Sequence, residues 1–114
     1  MNVHHRINYI EFSAEDLTSV KDFYGLVFGW KFTDYGPEYA AFTDGNLEGG
    51  FEKGAARPKN GALVILYSEN LMETLAKVEE AGGTITKPIF DFPGGKRFHF
   101  IDTAGNELAV WSDA

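Results

Sequence analysis

Two hydrophobic periods take turns along this chain, and they do so twice in the same order. The stretch from about Arg6 to Ser13 reads as a strand. From Asp16 to Phe28 the spacing changes. Leu17, Val20, Phe23, Tyr24, Val27 and Phe28 fall on one helical face. Asp16 suits the N-cap of this helix, and Gly29 suits the left-handed residue that closes it. Strands are predicted at about Trp30–Tyr35 and Tyr39–Thr43, around the hairpin signal Gly36–Pro37–Glu38. A further strand, about Leu47–Lys53, follows Asp44–Gly45–Asn46.

The pattern then restarts. Tyr9–Ile10–Glu11–Phe12–Ser13 matches Leu63–Val64–Ile65–Leu66–Tyr67, 54 positions further on, and Asp16–Leu17 falls on Asn70–Leu71. A strand over about Ala62–Tyr67 leads to a helix over about Leu71–Ala81. Asn70 is its N-cap, Glu73 its capping-box partner, and Gly82–Gly83 its stop. A strand begins at Thr84. Strands at about Arg97–Ile101 and Glu107–Trp111 flank the turn Asp102–Thr103–Ala104–Gly105–Asn106. The stretch Phe90–Asp91–Phe92–Pro93–Gly94–Gly95–Lys96 is expected to be a loop, either a hairpin connection or a lid. The predicted fold is α+β, two tandem βαβββ modules. Module one covers about 6–54, a polar linker about 54–61, and module two about 62–112, within a single domain. Two copies of one unit related by pseudo-symmetry are expected to build a curved-sheet groove, the natural place for a ligand.

Composition narrows the function. The formal net charge of −7 argues against nucleic acid, which needs clustered Lys and Arg. No cysteine is present, which removes disulfides and thiolate chemistry. No segment has the ~18 uninterrupted apolar residues of a membrane span, and Met1–Asn2–Val3–His4–His5–Arg6 lacks the apolar core of a secretory signal. A cytoplasmic protein is expected. His4 and His5 are read as incidental to the terminus.

Two motifs in register within the duplication carry a resemblance. Phe23–Tyr24–Gly25–Leu26–Val27–Phe28–Gly29–Trp30 and Asp102–Thr103–Ala104–Gly105–Asn106–Glu107–Leu108 resemble those of the vicinal oxygen chelate superfamily. That family includes glyoxalase I, extradiol dioxygenases, and fosfomycin- and bleomycin-resistance proteins. The resemblance covers almost the whole chain. It implies the fold above, and, for a small member, a homodimer. It also implies a divalent metal held from the first and last strands of each module. Aligned through the helix starts, the first-strand positions are Tyr9 and Leu63. Aligned through the Gly–Asn turns, the last-strand positions are near Gly49 and at Ala109, with Glu48 one residue away. None of Tyr9, Leu63, Gly49 and Ala109 is a good ligand for a divalent ion, so no metal and no other cofactor is expected.

Strand parity, anchored on those positions, then assigns the groove. It places Tyr9, Glu11, Tyr39, Tyr67, Arg97, His99, Glu107 and Trp111 inward as ligand-binding residues. Arg97 and His99 hold the positions that contact substrate in fosfomycin-resistance proteins. Each has a simpler reading. His99 could be a strand histidine bonded to a neighbour, Glu11 and Arg97 could only neutralise each other as a structural pair, the tyrosines and Trp111 could be core, and Gly49–Gly50 could admit a ligand or mark a bulge. The expected function is metal-independent binding of a small molecule. The alternative is a glyoxalase-like lyase, isomerase or transferase, with His99 as general acid or base and Arg97 as anion stabiliser.

Overall fold

A computed structural model describes residues 2–5, 7–54 and 62–113. Of the linker expected over 54–61, only Gly54 falls among them, and Arg6, the expected start of the first strand, falls outside. The chain divides into two compact units, residues 1–57 and 58–114.

The first unit contains β1 (Tyr9–Ala14), α1 (Leu17–Phe28), β2 (Lys31–Asp34), β3 (Tyr39–Thr43) and β4 (Glu48–Lys53). The second contains β5 (Val64–Tyr67), α2 (Leu71–Glu80), β6 (Thr84–Phe92), β7 (Gly95–Ile101) and β8 (Glu107–Ser112). Each unit is one mixed sheet, in the order β1-β4-β3-β2 and β5-β8-β7-β6. In both, the first strand runs parallel to the last and the other pairs are antiparallel. The duplicated βαβββ pattern of the sequence is thus a duplicated topology.

The helix boundaries follow from their caps. Asp16 accepts a hydrogen bond from the Ser19 N–H at 3.2 Å, and Asn70 accepts one from the Glu73 N–H at 3.1 Å. Gly29, at φ 72°, ends α1 with its own N–H on the Gly25 carbonyl, while the Trp30 N–H reaches the Tyr24 carbonyl. Side chains other than glycine resist that backbone conformation.

Under α1 the core is aromatic. Tyr24 stacks on Trp30 with centroids 4.4 Å apart, Trp30 stacks on Phe42 at 4.3 Å, and Phe51 lies between Phe12 and Tyr24. Under α2 it is Phe98, Phe100, Leu108 and Val110, all fully buried together with Val78 of the helix. These residues occupy one parity of each strand. The other parity forms a second sheet face, free of that unit's helix.

Two expectations need correction. The stretch from Phe90 to Lys96 is not a loop: β6 runs to Phe92, β7 starts at Gly95, and only Pro93 and Gly94 turn between them. Phe90 and Asp91 pair with Arg97 and Lys96, so the hairpin is strand almost to its tip. Pro88 lies within β6. It is accommodated because β6 is an edge strand whose register shifts twice, once between Lys87 and Phe90. The second correction concerns Gly49. In unit one the turn before the last strand closes from the Asp44 N–H to the Leu47 carbonyl, in unit two from the Asp102 N–H to the Asn106 carbonyl, one residue later. The position equivalent to Ala109 is therefore Gly50. Pairing agrees, since Glu11 sits opposite Gly50 as Ile65 sits opposite Ala109.

Candidate functional site

On the helix-free face of unit one, three predicted residues meet. Tyr39 donates its hydroxyl proton to Glu11 Oε2 at 3.0 Å, and the Tyr9 and Tyr39 hydroxyls lie 2.5 Å apart. A phenol has one proton to give. With that of Tyr39 committed to the carboxylate, Tyr9 donates to Tyr39, and the chain runs in one direction from Tyr9 to Glu11. Tyr9, at the start of this chain, is 42% exposed. Burial, and after it the hydrogen bonds to Tyr9 and Glu11, hold the Tyr39 phenol far above its usual pKa, so Tyr39 stays protonated.

The glycine pair of β4 makes room for this arrangement. A Cβ on Gly50 would lie 2.1 Å from the Tyr39 hydroxyl oxygen, and one on Gly49 would lie 2.2 Å from the Ile10 carbonyl and 2.4 Å from the Phe42 ring. The strand keeps continuous register through both glycines. They are neither a bulge nor a place kept open for a ligand, because the protein's own rings fill the space.

On the helix-free face of unit two the other five predicted residues are found. Arg97 lies opposite Trp111, His99 opposite Ala109, Ile101 opposite Glu107, and Tyr67 opposite Trp111. The Arg97 guanidinium lies over two rings, Phe90 and Phe92, 5.3 Å from each centroid. Trp111 meets Phe92 edge-on at 6.2 Å and Tyr67 at 5.2 Å. The Tyr67 hydroxyl donates to Asp113 at 2.7 Å, and this bond raises its phenol pKa.

His99 is only 5% exposed. Its Nδ1 faces Glu107 Oε2 at 3.4 Å, a long hydrogen bond, and the Thr86 hydroxyl donates to the same oxygen at 3.3 Å. Two side-chain nitrogens on this face, Arg97 Nε and His99 Nε2, are buried with no hydrogen-bond partner. A buried polar atom left without a partner costs about 1–3 kcal/mol, so such atoms are rare and call for an explanation.

Sequence reasoning missed Thr86, Phe90, Phe92, Asp113 and the role of Gly50. The signal for Phe90 and Phe92 was the dipeptide Pro93–Gly94. Read as a tight turn, it extends both strands and brings the two rings beside Arg97.

The positions at which the resemblance implies metal ligands are Tyr9 on β1, Gly50 on β4, Leu63 just ahead of β5, and Ala109 on β8. Among the described residues no group of three or more His, Cys, Asp or Glu side chains is placed to hold a metal ion. These residues do not fit a divalent metal. Among the described residues, too, no helix is long and apolar enough to cross a membrane.

Comparison with known proteins agrees with the duplicated topology. A glyoxalase/bleomycin resistance protein/dioxygenase family enzyme from Burkholderia phytofirmans PsJN superposes with a TM-score of 0.83 at 14% identity, over 94% of this chain and 98% of that one. The fosfomycin resistance protein FosX from Listeria monocytogenes gives 0.82 at 14% identity, over 98% and 96%. A lactoylglutathione lyase from Agrobacterium tumefaciens gives 0.71 at 19% identity, over 95% and 93%. At such identities the likeness concerns fold alone. No curated protein sequence matches. The family model of the glyoxalase/bleomycin resistance protein/dioxygenase superfamily matches residues 6–110, nearly the whole chain, and the protein belongs to that superfamily.

Proposed function

We propose that this protein binds a small molecule without a metal, on the helix-free face of unit two. The observation that carries the reading is the pair of buried, unpartnered nitrogens, Arg97 Nε and His99 Nε2, set among Phe90, Phe92 and Trp111. A ligand that supplied their missing partners would recover a cost already built into the fold. Its apolar part would lie on the rings. The donor set at Tyr9, Gly50, Leu63 and Ala109 supports the metal-free part.

The reading includes a cytoplasmic homodimer. Leu26 and Met72 are 78% and 76% exposed, and each sheet has open edges, β1 and β2 in one and β5 and β6 in the other. Exposed apolar side chains and open edges both favour burial against a second copy. Light scattering at micromolar concentration should give twice the chain mass.

The binding test is a thermal-shift screen of small molecules with EDTA present, followed by titration of a hit against Arg97→Ala, His99→Ala and Trp111→Ala. Loss of a stacking ring or of a hydrogen-bonding charge should weaken binding by about ten- to hundredfold. Wild-type affinity in both Arg97→Ala and His99→Ala would mean the wrong face was chosen. Loss of all binding in EDTA would overturn the metal-free reading. Catalysis is the second reading, favoured by the Glu107–His99 contact, which resembles the orienting half of an acid–base pair. A His99→Ala protein that binds normally but no longer converts the ligand would establish it.

A further inference from the structure

We infer that Glu107 and Thr86 hold the His99 ring as its Nδ1–H tautomer, so that the buried Nε2 accepts a hydrogen bond and the bound molecule must meet it with an O–H or N–H donor. This rests on the proposed binding face and specifies its chemistry.

Glu107 Oε2 has two neighbours, the Thr86 hydroxyl at 3.3 Å and His99 Nδ1 at 3.4 Å. An ionised carboxylate accepts and has nothing to donate. The single hydroxyl proton of Thr86 already points to that oxygen. The proton between His99 and Glu107 therefore belongs to Nδ1. In the neutral ring Nε2 then carries a lone pair. The other tautomer would set a lone pair against a carboxylate oxygen and bury an N–H with no acceptor. The doubly protonated ring would also bury that N–H, and place charge on a ring that is 5% exposed.

The second orphan completes the picture. Arg97 Nε can only donate, and His99 Nε2 can only accept. They stand two residues apart on β7, on the same face, yet neither has a partner. Two complementary atoms that do not satisfy each other are left for a third group. Arg97 takes a lone pair of that group and His99 takes its proton in a hydrogen bond. Nε2 has no solvent access in this conformation, and the ring packed beside it is Phe90, with centroids 5.8 Å apart. A ligand thus reaches Nε2 when the packing around the His99 ring, Phe90 included, shifts.

The test reads the ring directly. Protein labelled with nitrogen-15 at histidine is studied by long-range proton–nitrogen correlation at about pH 8, above the ordinary imidazole pKa. His99 is assigned by difference from His99→Gln. Wild type should show a protonated Nδ1 and a bare Nε2. Glu107→Ala should shift the ring toward the Nε2–H tautomer, and Glu107→Gln, which keeps a carbonyl acceptor, should restore the wild-type pattern. Phenol, as a small aromatic donor, should move the Nε2 resonance, while anisole, of the same shape but without the donor, should leave it in place. A protonated Nε2 in wild type, or an unchanged tautomer in Glu107→Ala, overturns the role of Glu107. An Nε2 resonance indifferent to phenol overturns the acceptor role. Failure of the broader binding reading looks different: the tautomer is as expected, but Trp111→Ala and Arg97→Ala bind the screened hit as wild type does.

Discussion

Replacing Gly50 by alanine isolates one consequence of the hydroxyl chain in unit one. The added Cβ would sit 2.1 Å from the Tyr39 hydroxyl oxygen, 2.5 Å from Cζ and 2.8 Å from Cε2, all closer than real contacts allow. The backbone is β4 and does not give way easily, because it pairs with β1 on one side and β3 on the other. The Tyr39 ring must move. Its hydroxyl then leaves Tyr9 and Glu11, losing one neutral hydrogen bond of about 1 kcal/mol and one to a carboxylate of about 1.5–3 kcal/mol. Against this, alanine in a strand is better than glycine by about 0.5–1 kcal/mol. The net loss expected is about 1.5–3.5 kcal/mol, on the order of 6–20 °C in Tm for a chain of this size. Urea and thermal unfolding of Gly50→Ala, Tyr39→Ala and the double variant measure it as a cycle. In the Tyr39→Ala background the clash is gone, and Gly50→Ala should be neutral or slightly stabilising. An equal loss in both backgrounds would refute the reasoning, since the cost would then lie in the backbone and not in the ring.

Gly49→Ala should cost more than Gly50→Ala. Its Cβ would meet the Ile10 carbonyl and the Phe42 ring, which is buried and cannot swing away, so unfolding should shift to lower urea by a larger step. Stability should fall as pH rises beyond about 10, the value at which tyrosines of the unfolded chain ionise. The folded-state pKa values of Tyr39 and Tyr67 are raised, so their contribution is fully present below the unfolded value and fades above it. Tyr39→Phe should flatten that alkaline decline, as urea midpoints across pH would show. Asp102→Ala should destabilise by about 2–4 kcal/mol. The buried Asp102 carboxylate accepts from the Ala104 and Asn106 N–H groups at 2.8 Å each and from the Asn106 amide at 3.1 Å. Phe100→Ala should cost about 3–5 kcal/mol, because a fully buried ring leaves a cavity. Arg97→Ala should cost less, since its side chain is half-buried and ends over rings on the other face of the sheet.

Periodicity and caps were legible in the residues themselves, and with them both helices, the eight strands and the duplicated order. These are local facts: Asp16 and Asn70 cap the first turn of their own helices, and Gly29 takes a backbone conformation that its neighbours cannot. Strand parity, anchored on the superfamily resemblance, also assigned side chains to faces, because successive residues of a strand point to opposite sides wherever the strand ends up. That is why Tyr9, Glu11 and Tyr39 could be grouped before any contact was known, and Arg97 with His99 and Trp111. What parity cannot supply is register between strands. The one-residue difference between the Asp44 and Asp102 turns moved the position equivalent to Ala109 from Gly49 to Gly50. The space over Gly50 belongs to a ring 11 residues earlier in the chain, Tyr39, brought there by the β3–β4 pairing. The tertiary structure alone decided which polar atoms keep a partner. His99 Nδ1 has Glu107 and Nε2 has none, a distinction that depends on ångström-scale packing across β6, β7 and β8 and leaves no trace in the spacing of residues.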